Sequence, residues 1–291
     1  MIERLCIIGV GLIGGSLARA LRDAGAVQEV VGAGRQLENL QTAVDLGVID
    51  RYHTDLAQAV AGADMVVVCV PLGAIEGVFY TIKDHLDPQA VLTDVGSAKG
   101  SVIDAAKRAF RQLPDFFVPG HPIAGTELSG VEASFAGLFH ERRVILTPLA
   151  ETRANAIDRV REMWQAAGAQ VVSMDAVHHD VVLAATSHLP HLLAFSLVDT
   201  LARLDEHNEI FDYAAGGFRD FTRIASSDPV MWRDICLANG DAIQLMIEQY
   251  IQDLQVASDA IGSQDGQQLL ELFMRAKAAR DQYIKDQQGQ D

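Results

Sequence analysis

The stretch that decides the fold is Leu5–Ser16, which reads LCIIGVGLIGGS and passes from a β-branched segment through closely spaced glycines into a helical pattern. A strand, a glycine turn and a helix in this order are typical of a dinucleotide site, in which the helix N-terminus attracts the pyrophosphate. A tight turn without a ligand is the alternative. The predicted cofactor-binding residues of this loop are Gly9, Val10, Gly11, Leu12, Ile13 and Gly14.

The end of the second strand, predicted over Glu29–Ala33, indicates which dinucleotide is bound. An NAD site has Asp or Glu there for the ribose 2′-hydroxyl, whereas this chain has Gly34 and Arg35. A cation suits the 2′-phosphate of NADP, so NADP is the expected cofactor and NAD the alternative. The alternative is that Arg35 is an exposed arginine that follows a strand and binds no cofactor.

Strands and helices alternate up to residue 174, which predicts a doubly wound, mostly parallel α/β sheet of the Rossmann type. The further predicted strands are Asp64–Pro71, Ala90–Asp94, Arg143–Thr147 and Gln170–Met174. Open α/β sheets bind ligands at the carboxyl ends of their strands. Val70 and Pro71 are therefore expected near the adenine ribose and Ser97 near the nicotinamide, although a helix N-cap is the commoner use of such a serine.

From Asp175 to Tyr283 helical periodicity replaces the strand signals. The sequence thus predicts a dinucleotide-binding domain over 1–174 and an all-helical domain over 175–291. The amphipathic stretches Gly240–Gln255 and Gln267–Tyr283 carry more apolar surface than a small domain needs for its own core. That excess predicts a homodimer through the helical half.

Composition excludes several classes of function. The chain has 291 residues, of which 49% are hydrophobic and 21% charged, as expected of two globular domains. Its net charge of −16 disfavours nucleic acid and anionic membranes as partners. No uninterrupted apolar run approaches the ~20 residues of a membrane span. Three cysteines in apolar segments indicate reduced thiols and a cytoplasmic location.

The candidate for chemistry is His121, within the stretch Gly120–Gly125, GHPIAG, where the glycines and Pro122 predict a tight turn. Histidine exchanges protons near neutral pH, so an oriented His121 could serve as a general base. An exposed loop histidine is the alternative. Glu127, six residues on, either lines the same pocket or is a solvated carboxylate.

Two polar clusters stand in the helical half. In Ser187–His191, SHLPH, the histidines His188 and His191 lie on one helix face, and Pro190 disturbs the backbone hydrogen bonds. They lack neighbouring carboxylates or cysteines, so no metal site is predicted, and hydrogen bonding to a polar substrate is the favoured function. Buried core histidines with satisfied hydrogen bonds are the alternative.

The second cluster is 216–225, GGFRDFTRIA, followed by 228–233, DPVMWR. Arg219 and Arg223 are four residues apart in an otherwise acidic protein, and a guanidinium is well suited to binding a carboxylate. Arg219 has Asp220 and Asp228 nearby as structural partners. Arg223 is therefore the candidate for binding an anionic substrate.

Taken together, GVGLIGGS, DVGSAK, GHPIAGTE, SHLPH, GFRDFTRIA and DPVMWRDI resemble the prephenate and arogenate dehydrogenase family of tyrosine biosynthesis over nearly the whole chain. The resemblance implies oxidative decarboxylation of a cyclohexadiene, with NAD(P)+ as hydride acceptor, in a cleft between the two domains. It implies that His121 draws off the ring hydroxyl proton and that Ser97 orients His121 and the nicotinamide. The substrate-binding residues that it implies are Glu127, Ser187, His188, His191, Arg223 and Trp232.

The alternatives are another two-domain dehydrogenase, of the β-hydroxyacid or imine type, and a non-catalytic NADP-sensing dimer. The former rely on a lysine in the helical half, and residues 175–275 contain none. The latter gives no reason for His121 or Arg223. Feedback by tyrosine through an additional domain is not expected, and the pocket is expected to take prephenate, arogenate or both.

Overall fold

The computed structural model describes residues 1–205 and 207–288. The strands are β1 (Ile2–Ile8), β2 (Val27–Ala33), β3 (Arg51–His53), β4 (Met65–Val68), β5 (Val91–Asp94), β6 (Phe117–Val118), β7 (Gly120–Pro122), β8 (Arg143–Leu146) and β9 (Gln170–Ser173). The α-helices are α1 (Leu12–Asp23), α2 (Leu37–Asp45), α3 (Leu56–Val60), α4 (Leu72–Ile82), α5 (Lys99–Phe110), α6 (Ala154–Ala166), α7 (Ala176–Leu183), α8 (Leu189–Ala202), α9 (His207–Asp212), α10 (Gly216–Thr222), α11 (Pro229–Ala238), α12 (Gly240–Gly262) and α13 (Gly266–Gln288).

Six parallel strands form the main sheet in the order β3-β2-β1-β4-β5-β6. Successive residues of β1 face opposite sides: Ile7 packs in the core layer that contains Trp164 of α6, and Ile8 in the layer that contains Phe79 of α4. Because both faces are covered, the strands read as continuous apolar runs without alternation. The predicted doubly wound α/β fold is confirmed.

A second, three-stranded sheet was not predicted. It has the order β7-β8-β9, with β7 antiparallel to β8 and β8 parallel to β9. The last two of these strands were expected in the main sheet and His121 on a tight turn, and both expectations were wrong. His121 is the middle residue of β7 and lies opposite Ile145 of β8. The chain leaves the main sheet at Pro119, which has no N–H to offer a ladder.

After β9 the described chain is helical, as predicted up to Tyr283, and α13 continues to Gln288. The segment Ala176–Ala202 is helical throughout, with a wide π-helical turn at Ala184–His188 before Pro190. Proline cannot donate to the preceding turn, and a wider turn accommodates its ring. The disturbance that the sequence predicted at this proline is therefore a π-helical turn.

The same segment has 27 residues, a mean hydropathy of 1.6 and 22% of its most apolar window buried within the chain. Among the described residues it is the one helix that could cross a membrane by length and composition, a segment that the sequence analysis did not single out. It nevertheless packs against the sheet part of the chain, since Asp180 accepts hydrogen bonds from the N-terminus of α5.

The chain divides into two compact units, Met1–Ile243 and the residues from Gln244 onward. The predicted boundary between residues 174 and 175 stays a prediction. In the second unit, α12 and α13 leave large apolar side chains exposed. These are Leu245, Tyr250, Ile251, Leu254, Val256, Ile261, Leu270, Phe273, Met274, Tyr283 and Ile284.

Candidate active site

The glycines of the first loop have two different roles. Gly9 has φ +98°, and a Cβ there would lie 2.5 Å from the carbonyl oxygen of Cys69. A Cβ on Gly14 would lie 2.5 Å from the Gly9 oxygen and 2.7 Å from Ile7. Gly11 is different, because within the described chain nothing lies within 4 Å of a Cβ built there. Gly9 and Gly14 are thus required by packing, whereas Gly11 leaves open space beside the helix.

That open space lies at the N-terminus of α1. Gly11 is the N-cap in an extended conformation, and no side chain of the described residues caps the helix. Asn39 donates to the Val10 carbonyl at 2.9 Å and fixes the loop. The side chains of Leu12 and Ile13 pack on the core, so it is the first-turn N–H groups that are available. Uncapped N–H groups beside an open glycine fit a pyrophosphate.

The other predicted cofactor residues lie at the same edge of the sheet. Val70 follows β4 and approaches within 3.1 Å of a Cβ built on Gly9, and Pro71 is the N-cap of α4. Gly34 and Arg35 follow β2, the strand on the other side of β1, and Arg35 is exposed. The residues present therefore fit a dinucleotide laid across the carboxyl ends of β2, β1 and β4.

A fully buried ion pair holds the residue that precedes His121. Lys99 donates from Nζ to Asp94 Oδ2 at 2.5 Å and to the Gly120 carbonyl at 2.6 Å, and both charged side chains have 0% exposure. Asp94 also accepts from the Gly120 N–H at 3.2 Å and from the Gly96 N–H at 2.8 Å. The pair therefore fixes both backbone polar groups of Gly120 and thereby the position of the neighbouring imidazole.

His121 is 8% exposed, and its Nδ1 lies 2.9 Å from Nε2 of His179 in α7. His179 in turn places Nδ1 2.7 Å from Oδ1 of Asp180. Burial lowers the pKa of His121 well below its usual value, and the positive charge of Lys99 and the imidazoles of His179 and His188 lower it further. An imidazole with so low a pKa is neutral at physiological pH, as a general base must be.

Ser97 is half-buried between β5 and α5. The alternative that it caps α5 is wrong, because the N-cap residue is Ala98 and the capping carboxylate belongs to Asp180. That carboxylate accepts the N–H groups of Lys99 and Gly100, both at 2.8 Å. The side chain of Ser97 therefore does not cap α5, and capping does not compete with a role in the site.

His188 is 1% exposed and has one nitrogen satisfied. Its Nδ1 lies 3.0 Å from the Asn239 amide nitrogen, which also donates to the Asp180 carbonyl at 2.8 Å. Since the amide donates, Nδ1 accepts and Nε2 carries the hydrogen. Nε2 is buried and makes no hydrogen bond of normal geometry within the described part of the chain, although the Ser97 backbone lies near enough to act on the pKa of the ring. Burial lowers the pKa of His188 to about 4, against the opposing charge of Asp180.

Trp232 lies between His188 and His191 and contacts both rings. Its ring stacks on His191 with 3.7 Å between centroids and meets His188 edge-on at 6.2 Å. Its Nε1 is likewise buried without a partner among the residues described. His191 is oriented by the carbonyl of Ser187, 2.9 Å from its Nδ1. Two buried N–H donors without partners in the described chain, on His188 and Trp232, thus belong to rings that are in contact with each other.

Arg223 and Glu127, predicted separately, form an ion pair with each other. Both are exposed, and the charge of Arg223 also acts on His191. A hydrogen bond from its own backbone, together with the charge of Arg223, lowers the pKa of Glu127. The guanidinium is thus already paired with a carboxylate, and its charge reaches His191, which stacks on Trp232. Arg219 is exposed.

The groups that hold His121 were not predicted from the sequence, nor was the amide that holds His188. The former are Asp94, Lys99, His179 and Asp180, and the latter belongs to Asn239. Lys99 gave a usable signal, because a lysine directly after a buried strand and a glycine turn stands where ligands and reactive groups gather. His179 was considered only with His178, as a possible metal ligand. No group of three or more ligand side chains among the described residues is arranged to hold a metal.

Comparison with known proteins decides the family. Residues 17–173 match the description "Prephenate dehydrogenase, nucleotide-binding domain", and residues 175–275 match "Prephenate dehydrogenase, dimerization domain". The chain belongs to the prephenate dehydrogenase family. It is therefore an oxidoreductase with a nucleotide-binding domain and a dimerisation domain, and the resemblance inferred from the motifs is confirmed. The glycine loop precedes residue 17, where the match to the nucleotide-binding domain begins. Its assignment to cofactor binding therefore rests on the geometry described above.

Relatives in the prephenate dehydrogenase family cover almost the whole chain. Cyclohexadienyl dehydrogenase of Zymomonas mobilis is 40% identical over 96% of this chain and 95% of its own length, and prephenate dehydrogenase of Bacillus subtilis is 34% identical over 99% and 78%. Prephenate dehydrogenase of Aquifex aeolicus, in complex with hydroxyphenyl propionate and NAD+, superposes with a TM-score of 0.89 at 36% identity, covering 96% and 98%. Arogenate dehydrogenase of Synechocystis gives 0.80 at 27%, covering 97% and 100%.

Proposed function

We propose that this member of the prephenate dehydrogenase family oxidises and decarboxylates prephenate, arogenate or both, yielding 4-hydroxyphenylpyruvate or tyrosine, with NAD(P)+ as the oxidant. The observation that carries the proposal is the buried, neutral imidazole of His121. The Lys99–Asp94 pair holds its neighbour Gly120 at the carboxyl end of β5, which is the same edge of the parallel sheet as the loop that fits a dinucleotide. When bound, the nicotinamide would accept the hydride that leaves C4, the ring carbon that carries the hydroxyl. His121 accepts the proton of the ring hydroxyl, the ring carboxylate leaves as carbon dioxide, and the ring becomes aromatic.

The remaining predicted residues fit the polar ends of such a substrate. Ser97 orients His121 and the nicotinamide from the end of β5. The unpartnered N–H groups of His188 and Trp232 offer hydrogen bonds to substrate oxygens, since a buried donor without a partner is unfavourable. Arg223 binds a substrate carboxylate, a group of the same kind as the Glu127 carboxylate with which it forms an ion pair.

NADP+ is the proposed oxidant, with NAD+ as the alternative. The support is the exposed Arg35 directly after β2, at the place where an NAD site carries a carboxylate. We also infer a homodimer through the helical half, because α12 and α13 carry exposed apolar side chains such as Leu245 and Phe273. The enzyme is proposed to act in the cytoplasm.

Four initial-rate assays test the proposal, combining prephenate or arogenate with NAD+ or NADP+ and following reduced nicotinamide. We expect turnover with at least one substrate and a higher kcat/KM with NADP+ than with NAD+. Absence of turnover in all four, with dinucleotide binding intact, would favour the NADP-sensing alternative and defeat the proposed reaction.

A further inference from the structure

A chain of hydrogen bonds determines which nitrogen of His121 carries its proton. It runs from His121 Nδ1 to His179 Nε2, 2.9 Å apart, and from His179 Nδ1 to Asp180 Oδ1, 2.7 Å apart. A carboxylate only accepts, so His179 Nδ1 must carry a hydrogen. The Nε2 of neutral His179 is then an acceptor, and His121 Nδ1 must donate to it. His121 is left with its lone pair on Nε2.

We propose that His179 and Asp180 are positioning residues that hold His121 in the tautomer with a free Nε2, the nitrogen that accepts the substrate proton. The inference rests on the proposed function in one respect only, which is that His121 is the base. With the opposite tautomer, Nε2 would carry a hydrogen and could not accept another. The same hydrogen-bond chain also stabilises His121 once it is protonated, because it ends on a negative charge.

Asp180 is held as an ionised carboxylate by three donors. Oδ1 accepts from the Lys99 N–H in addition to His179, and Oδ2 accepts from the Gly100 N–H. Burial acts to raise the pKa of Asp180, but the hydrogen bonds from His179 and from the two amides outweigh it, and the pKa lies below its usual value. The two amides belong to the first turn of α5, where the helix dipole favours a negative charge. The acceptor at the end of the chain is therefore fixed in charge and place.

His179 is rigidly placed as well. Its side chain has 0% exposure, and its ring meets that of His121 at 64° with 5.1 Å between centroids. Asp175 caps α7 through the N–H groups of Val177 and His178, which sets the rotation of the helix. The adjacent His178 is exposed on another face. This pair of neighbouring histidines therefore offers one buried positioning residue and one matched control.

The other ionisable groups around His121 do not fix its tautomer. Lys99 uses its hydrogens on Asp94 and the Gly120 carbonyl, and Asp94 accepts from the Gly120 N–H. His188 acts on the pKa of His121 by its charge, but its Nδ1 is bonded to Asn239. These groups influence whether His121 is protonated. Among the described residues, His179 is the one whose hydrogen bond decides where the proton of the neutral ring resides.

The direct test is the nitrogen NMR spectrum of the full-length protein with labelled histidine, in which protonated and unprotonated ring nitrogens have different shifts. The His121 signals are assigned by their loss in His121→Asn. We expect His121 to be protonated on Nδ1 and unprotonated on Nε2. A proton on Nε2 would overturn the proposal. The spectrum needs no substrate, so it stands even if all four assays of the proposed reaction fail.

Variants at His179 test the consequence. His179→Phe keeps a ring but removes both nitrogens, and we expect a mixed tautomer at His121 and a kcat lower by about 10-fold or more, with unchanged affinity for NADP+. His179→Gln can accept from His121 and donate to Asp180, so most of kcat should return. His178→Gln should match the wild type. Equal kcat and an unchanged His121 tautomer in His179→Phe would contradict the proposal. Should that variant not fold, the wild-type spectrum decides.

Discussion

Substituting Lys99 by methionine should both destabilise the fold and change the pH dependence of the reaction. Lys99 and Asp94 have 0% side-chain exposure, and Nζ contacts the carboxylate at 2.5 Å and the Gly120 carbonyl at 2.6 Å. Lys99→Met fills a similar volume but leaves Asp94 buried without its cation. Removing one partner of a buried ion pair typically costs about 3–5 kcal/mol, because the remaining charge is uncompensated.

Urea unfolding measures the first effect. We expect Lys99→Met to lower the free energy of unfolding by about 3–5 kcal/mol, and Asp94→Asn combined with Lys99→Met to recover part of that loss, since no unpaired charge remains. Lys107→Met is the matched control. Lys107 lies on the same helix with 55% side-chain exposure, and a surface substitution of this kind changes stability by about 0.5 kcal/mol or less.

The pH profile measures the second effect. Burial is the largest cause of the low pKa of His121, and the charge of Lys99 is the next. Removing that charge raises the pKa, and the base works only above its pKa, so the acidic limb of kcat/KM moves to higher pH. The reasoning would be refuted if Lys99→Met lowered the free energy of unfolding by less than about 1 kcal/mol and left the acidic limb of kcat/KM unmoved. A buried, charged Lys99–Asp94 pair near His121 predicts a larger loss and a shifted limb.

Four further variants test the glycine loop and two arginines, Arg223 and Arg35. Gly14→Ala should lower the free energy of unfolding in urea by about 1–3 kcal/mol, because its Cβ would lie 2.5 Å from the Gly9 oxygen. Gly11→Ala should leave the free energy of unfolding unchanged and weaken dinucleotide affinity. Equal effects of the two substitutions on both quantities would contradict the separate roles of the two glycines. Arg223→Ala should raise the substrate KM far more than the Kd for NADP+, and a selective loss of cofactor would place Arg223 at the nucleotide instead. Arg35→Asp should move preference toward NAD+, and an unaltered ratio of kcat/KM for the two cofactors would contradict the NADP proposal.

The main sheet was predictable because neighbouring residues in the sequence determine its strands and turns. The continuous apolar run at Met65–Val68 and the glycine turn after Ile8 each indicate a buried strand that feeds a helix, and the structure confirms both. The strand β7 was not predictable in this way. Gly120 and Pro122 are both unfavourable in strands, so local propensity indicates a turn, and pairing with β8 some 20 residues later prevails.

The site was predictable only in part, for a related reason. His121 was found from its sequence neighbours, whereas His179, which bonds it, lies 58 residues further along the chain. Asp180 likewise caps a helix that begins about 80 residues earlier. Such partners follow no periodicity or motif spacing. The position of Lys99 after a buried strand indicates a place where reactive groups gather, but the sequence does not show that the fold buries it against Asp94.

The most direct test of the whole account is the kcat of His121→Asn, measured with prephenate and with arogenate alongside its Kd for NADP+, with His178→Asn as control. If His121 is the general base, kcat falls by about 10²–10⁴-fold while the Kd for NADP+ stays at the wild-type value. A kcat equal to that of the wild type would remove His121 from the chemistry and contradict the account.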